Sequence, residues 1–378
     1  MLSSLRIQGY RKFDTFSVDN LSRMNFFVGS NNVGKTTILE AVYGWASGLS
    51  LSPFLGTSIL RNQIMQSPYY IADRIFSAVN DRNHLPFTFN ISAIDDDNEI
   101  TFFHTINVGD VFRAFIKKLA MSTAIMKKNN ELANQNNISR FQQGTSFPMS
   151  IPAVQLARWE IKDNRDNIKS YSLDWPNLFV ENTEPQRLAS YKDIGSHRNI
   201  EENLKIYVYL KRQNLINEFI QDMRVIFPEV KSIDLLPYED NSTTPVSIQF
   251  KNTEYYPLDN FGDGFRRWYH IIGSLVLYNN SIICIDEIDA TLHPEAQKEF
   301  CRNIIRYSRK HNVQLFITTH NLEFIDYILT AWNENADLKL QDDIRIITIK
   351  DSSGETKFRN MTAGEAFNAR EAFQMELR

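Results

Sequence analysis

The alternation of apolar and polar positions divides the chain into short strand-like runs and longer helix-like stretches. LSSLRIQGY alternates and NFFVG is a short buried run, so residues 1–30 read as two strands. Ile38, Leu39, Val42 and Trp45 fall on one face of a helix over 35–47. FTFNISAI and ITFFHTINV flank the acidic DDDNE, a hairpin pattern within 86–107. Residues 108–143 read as helical and then Asn-rich, with KKNNELANQNNISRFQQG as an exposed tip, and 146–182 as strand pieces around Trp159, Tyr171 and Trp175. Residues 201–226 read as helical up to Phe227-Pro228, and VKSIDLLPYE and PVSIQF as strands. An apolar helix follows from Phe265 to Leu277. SIICID and VQLFITTH are buried strands around a helix starting near Pro294, and DIRIITIK is a late strand. Strands alternating with helices imply an α/β fold. The expected division is an N-terminal lobe over 1–107, an α+β insertion with its own packing over 108–230, and a C-terminal lobe over 231–378.

Composition narrows the class. A chain of 378 residues with 43% hydrophobic and 23% charged positions can bury a sizeable core. Its net charge of -4 gives no global basic signature, so any DNA contact has to come from a local patch. Cys284 lies in an apolar run and Cys301 on an expected helix, which suits neither a disulfide framework nor a metal site and points to a reducing, cytoplasmic setting. MLSSLRIQGYRKF lacks a signal-peptide pattern, and the longest apolar stretch, Trp268 to Tyr278, is too short to span a bilayer, so no membrane partner is expected.

Four segments carry chemistry. Gly29-Ser30-Asn31-Asn32-Val33-Gly34-Lys35-Thr36 matches G-x-x-x-x-G-K-[ST], with a strand before it and a helix after. Such a loop turns backbone N–H groups around phosphates at a helix N-terminus. Lys35 would reach the β and γ phosphates, and the Thr36 hydroxyl would bind Mg²⁺. In SIICIDEIDATLHPEAQ, Asp286 and Glu287 close a buried strand. Two acids there are costly unless they serve an ion or a reaction. Asp286 fits a place beside the metal, and Glu287 a general base on the attacking water. VQLFITTHNLEF ends a second buried strand at His320, placed to hydrogen-bond a γ-phosphate. DNFGDGFRRW puts Gly262, Asp263 and Gly264 at another helix start, a second phosphate-type loop that suggests a nucleotide clasped between two subunits.

These four elements, in this order, resemble the ABC-type ATPase superfamily, and within it the branch of SMC, RecF, Rad50 and overcoming-lysogenization-defect (OLD) ATPases. LRIQGYRKFDTFSVDNLSRMNFFVGSNNVGKTTILEAV is similar to the opening of that branch, and the likeness covers 1–48 and 255–330. MTAGEAFNAREAFQMELR resembles the tail of small stand-alone members, whose genes often neighbour a TOPRIM-type nuclease. The resemblance implies a P-loop core with a mixed sheet and an antiparallel β subdomain, and ATP and Mg²⁺ as cofactors. It implies a Walker A loop from Gly29 to Thr37, a Walker B acid at Asp286, a catalytic Glu287, a D-loop Asp289 facing a partner subunit and a switch His320. It places Arg11 near the nucleotide and Gly262-Asp263-Gly264 at the signature loop that faces the other subunit's γ-phosphate. Gly262-Asp263 stands where many members carry Ser-Gly, so the signature hydroxyl is missing; Arg266 and Arg267 are candidates to screen the acid. Gln142 and Gln143 are candidates for the Q-loop glutamine.

The expected function is an ATPase that forms a homodimer around ATP, with a higher oligomer left open. It would control a separate effector such as a TOPRIM nuclease in prokaryotic antiviral defence. The alternative is a RecF-like DNA-binding ATPase of repair, for which Arg113, Lys117, Lys118, Lys127 and Lys128 supply an acid-free basic stretch.

Overall fold

The computed structural model describes residues 1–55, 78–79, 85–109, 154–175, 183–237, 244–251, 254–334, 342–352 and 355–373. Gln142, Gln143 and the basic stretch from Arg113 to Lys128 lie outside the described residues. In chain order the elements are β1 (Leu2–Tyr10), β2 (Phe13–Asp19), β3 (Met24–Val28), α1 (Lys35–Ala46), α2 (Ser52–Leu55), β4 (Phe87–Asp95), β5 (Asn98–Val108), β6 (Val154–Asp163), β7 (Ile168–Trp175) and β8 (Ala189–Lys192). They continue with α3 (Ile200–Arg212), α4 (Ile216–Ile226), β9 (Val230–Leu235), β10 (Val246–Phe250), β11 (Tyr255–Pro257), α5 (Asp263–Leu277) and β12 (Ile282–Ile285). The last are α6 (Pro294–Lys310), β13 (Gln314–Thr319), α7 (Leu322–Asn333), β14 (Ile344–Ser352), β15 (Glu355–Thr362) and α8 (Ala363–Phe373).

The core sheet runs β15-β14-β3-β13-β12-β8, parallel except for the β14–β15 hairpin. Every residue of β3, β12 and β13 is buried, as both faces of the sheet are covered. Side-chain alternation splits these strands between two cores. Phe26, Ile283, Ile285, Leu315 and Ile317 pack among the buried residues of α3 to α7, whereas Phe27, Ile282, Cys284 and Phe316 pack with α1 and the antiparallel lobe. Both cysteines are buried and free. Together with the antiparallel lobe, this is the α/β architecture with a mixed sheet and an antiparallel β subdomain that the sequence implied.

That lobe is a sheet of order β2-β1-β4-β5-β6-β7. The β4–β5 turn has Asp95 opposite Asn98, with Asp96 and Asp97 at φ 47° and 66°, the left-handed pair that a two-residue hairpin needs. α1 lies between the two sheets. Ile38, Leu39, Val42 and Trp45 are buried along it, worth about 1.5–3 kcal/mol each, and Trp45 Nε1 donates to the Ile100 carbonyl at 2.9 Å.

Several elements differ from the sequence reading. FDTFSVD forms β2, a third strand in the first 30 residues, paired with β1. β6 and β7, expected to pack within the insertion, instead extend the antiparallel sheet from β5, because Trp159 and Ile161 continue the buried face begun by Phe102 and Ile106. The four-residue β8 pairs in parallel with β12 and so belongs to the core sheet. β15 and α8 follow the late strand. Among the described residues, no helix is long and apolar enough to cross a membrane.

Candidate nucleotide-binding site

The C-terminal ends of β3, β12 and β13 deliver the phosphate loop, the two acids and His320 to one edge of the core sheet. Val28 pairs with Thr319 and Ile285 with Ile317. Ligands of open α/β sheets bind at this edge. Residues 29–34 join β3 to α1, and the neighbours dictate the glycines. At Gly34, with φ 102°, a Cβ would come 2.5 Å from the Phe13 ring; at Gly29 it would meet the Ile349 carbonyl oxygen at 2.4 Å. Val33 is buried under the loop while Ser30, Asn31 and Asn32 are exposed. The first turn of α1 carries no acid and no side-chain cap, so its N-terminal partial charge is open to an anion. Lys35 Nζ donates to the Gly29 and Ser30 carbonyls, each at 2.8 Å, which holds the ammonium over the loop. Burial pulls Lys35 below its ordinary value, opposed by Asp286, Glu287 and Asp289. Thr37 points inward and is buried.

Thr36 Oγ1 donates to Asp286 Oδ2 at 3.0 Å, which brings together the two residues expected to hold a metal. Thr318, from β13, also donates to Asp286, and Tyr191, within β8, reaches it at 3.4 Å. A hydroxyl and a carboxylate are hard oxygen donors that suit Mg²⁺, which binds through one or two protein groups plus phosphates and water. Among the described residues no three His, Cys, Asp or Glu side chains cluster to hold a metal by themselves. Glu287 follows at φ 48°, a left-handed conformation uncommon for a side chain of this type, with its N–H bonded to Thr318 Oγ1 at 2.9 Å. Its carboxylate makes no hydrogen bond among the described residues, so it is unencumbered for a water. Thr319 Oγ1 donates to Asp289 at 2.5 Å. His320 is exposed at the end of β13.

The strained turn is braced from behind by Arg267 of α5. This guanidinium is buried and donates to the Glu287 carbonyl at 2.7 Å, the Asp286 and Ile194 carbonyls at 3.1 Å, and the Asp193 and Ile288 carbonyls at 3.4 Å. Arg267 therefore does not screen Asp263, as its sequence position suggested; its donors are spent on backbone. At the N-terminus of α5, a Cβ on Gly264 would meet the Thr291 carbonyl at 2.8 Å, whereas Gly262 has open space. Asp263 is clamped by three donors: His197 Nε2 at 3.1 Å, Arg198 Nη2 at 3.0 Å, and Arg266. The bonds from His197, Arg266 and Arg198, in that order, hold its carboxyl well below the usual carboxylate range.

Arg11 sits in the β1–β2 turn, where Nη2 bonds Glu40 of α1 at 3.0 Å; the turn thus abuts the helix that carries the phosphate loop. Its neighbour Lys12, passed over in the sequence, donates to the Asn32 carbonyl of that loop at 2.8 Å. His197 and Arg198 were also passed over. Nothing local marks them, since they reach Asp263 through the β8 pairing. Thr318 carried a signal, one of two threonines that follow the apolar Leu315–Ile317 in a fully buried strand.

The model of a family described as "AAA domain, putative AbiEii toxin, Type IV TA system" matches residues 24–326, which takes in the phosphate loop, both acids and His320. The chain belongs to this family. It is 23% identical over 349 residues to an "ATP/GTP phosphatase" of Helicobacter pylori, with 87% of each chain covered. It is 20% identical over 368 residues to the "DNA replication and repair protein RecF" of Macrococcus caseolyticus, covering 86% of this chain and 94% of that one. Among solved structures, an SMC head bound to the C-winged helix domain of ScpA aligns with a TM-score of 0.50 at 13% identity, over 97% of this chain and 99% of that one. The chain is thus an ATPase-family member of the ABC type, on the RecF/SMC-like branch.

Proposed function

We propose that the protein is a Mg²⁺-dependent ATP hydrolase that closes into a dimer around ATP and controls a separate effector, a nuclease of the TOPRIM type, in antiviral defence. The observation that carries the hydrolase reading is the convergence of Thr36 and Asp286 at 3.0 Å with the unencumbered Glu287 as the next residue. Thr36 and Asp286 would hold the metal, which would neutralise phosphate charge when bound. Lys35 leaves the loop carbonyls to take the β and γ phosphates. Glu287 orients a water and accepts its proton, held in place by the bracing of its own backbone. His320 and, from the second copy, Asp289 and the 262–264 loop complete the enclosure. ATP as the base-specific ligand rests on the family. The H. pylori relative is described as acting on both ATP and GTP, so nucleotide choice is measured directly.

The test is phosphate release from ATP with Mg²⁺ and with EDTA, alongside light scattering of Glu287→Gln with ATP. Turnover that needs Mg²⁺, and an ATP-dependent doubling of mass in the variant, support the reading; turnover unaffected by EDTA removes the metal from it. Co-expression with the neighbouring reading frame tests the effector. The likeness to RecF over 86% of the chain favours a second reading, a DNA-binding ATPase of repair. Tight DNA affinity of the protein alone, falling steeply with salt, would select it.

A further inference from the structure

The signature loop carries Gly262 where a hydroxyl would meet a γ-phosphate and an acid, Asp263, directly after it, and the structure shows how that acid is occupied. Asp263 faces His197, Arg198 and Arg266, so its charge is spent within its own subunit. The three donors are not equivalent. His197 is buried. Arg266 is largely buried and shared with Asp259 at 3.8 Å. Arg198 keeps 64% of its side chain exposed and, among the described residues, bonds only Asp263, through a single nitrogen. A guanidinium has five N–H donors, so most of its capacity is turned outward.

The loop that carries Arg198 is fixed at the same edge as the site. β8 is paired with β12, and the Asp286 N–H donates to the Lys192 carbonyl at 2.8 Å. Arg267 holds the Asp193 and Ile194 carbonyls with one nitrogen and the Asp286 and Glu287 carbonyls with another. Ile194 and Ile200, four residues before Arg198 and two after it, are 50% and 59% exposed. Exposed apolar side chains around a positioned cation suit a surface that closes on another protein surface. A second copy bearing a bound triphosphate offers the anion.

We propose that Arg198 takes the place of the missing signature hydroxyl: its guanidinium meets the γ-phosphate of the nucleotide held by the second copy, and Asp263 aims it. The inference rests on the nucleotide-sandwich reading above. Here the acid at the signature is a holder for a cation rather than a repulsive defect. Arginine stabilises the charge of a transferring phosphoryl group, and a bidentate contact fixes its approach.

Three measurements test it. Arg198→Ala should bind ATP with the wild-type Kd, since the phosphate loop is intact, yet lose roughly 10²-fold or more in turnover. An equimolar mixture of Arg198→Ala with Lys35→Ala should recover about a quarter of wild-type turnover, the statistical share of intact composite sites in a two-fold dimer. In a Glu287→Gln background, Arg198→Ala should abolish ATP-dependent dimerisation, with Arg198→Lys restoring part of it. Wild-type turnover by Arg198→Ala overturns the assignment. So does an Arg198→Ala, Glu287→Gln protein that still dimerises while the mixture shows no recovery. If the wild-type protein neither hydrolyses ATP nor dimerises with it, the sandwich reading falls and Arg198 with it; wild-type turnover together with an unaffected Arg198 variant removes Arg198 alone.

Discussion

On the phosphate side, Lys35, Thr36 and Asp286 lie on segments that the parallel strands bring to one edge, and each bonds the loop or another member of the set. On the signature side, Asp263 takes all its side-chain bonds from a helix and a turn that contribute nothing to the phosphate loop. The first region is assembled by sheet register, so it is in place before any partner arrives. The second is a self-satisfied clamp on a rim. If a second copy completes the site as proposed, the contrast teaches that its two halves need not be equally finished: the phosphate-loop half is prebuilt, and the signature half holds a charged group ready at a surface. Arg267 joins them, since one side chain on the signature helix supports the backbone of both acids.

The largest effects should fall on the phosphate side. Lys35→Ala should lower phosphate release by about 10²–10³-fold and weaken nucleotide binding, whereas Glu287→Gln should lower release by about 10²–10⁴-fold with binding retained. Wild-type turnover in Glu287→Gln would remove the base assignment. Arg267→Ala should strike both regions, because it removes the side-chain donor to the Asp286, Ile288 and Ile194 carbonyls. We expect a loss of about 3 kcal/mol or more in denaturant unfolding, only partly recovered by Arg267→Lys, whose single ammonium cannot reach all of them. An unchanged unfolding midpoint in Arg267→Ala would break the idea of a shared brace.

Asp263→Asn should leave monomer ATP affinity unchanged and reduce turnover by about tenfold, as the clamp loses charge-assisted bonds but keeps its shape. If it weakens ATP binding instead, the two regions are not separable in this way. The smallest effect is a pH dependence. The carboxyl of Asp263 is held below its ordinary value of 3.8 in the folded protein, so its stabilisation is present above that value and is lost as pH falls below it. The stability gap between wild type and Asp263→Asn, followed by unfolding at a series of pH values, should therefore stay level near neutrality and narrow in acid. A gap that widens in acid would contradict the clamp.

What could be read from the sequence follows from distance along the chain. The phosphate loop is eight consecutive residues with a strand before and a helix after, and the acids sit directly behind a four-residue apolar strand; both are local patterns. The clamp is not local, because His197 and Arg198 lie 66 and 65 residues from Asp263 and meet it only once β8 has docked on β12. β8 itself is a four-residue edge strand with no apolar run to announce it. β6 and β7 alternate legibly as strands, yet their attachment to β5 depends on pairing across residues 110–153, which no periodicity encodes. The brace was misjudged for a different reason. Two adjacent arginines look alike in sequence, but helix geometry turns Arg266 to the rim and Arg267 into the interior.

One consequence of the layered core concerns mechanics. α1 touches the antiparallel lobe through Trp45 and begins at Lys35, and its buried face is packed between the lobe and the core sheet. Such a helix behaves as an axle seated in two bearings. A load on β5 can pass into α1 through Trp45, alongside the bonds between Leu2 and Gln314 that also tie the lobe to the core sheet. One helix thus joins β5 of the lobe to the start of α1 at Lys35, with Trp45 as the tooth at its far end.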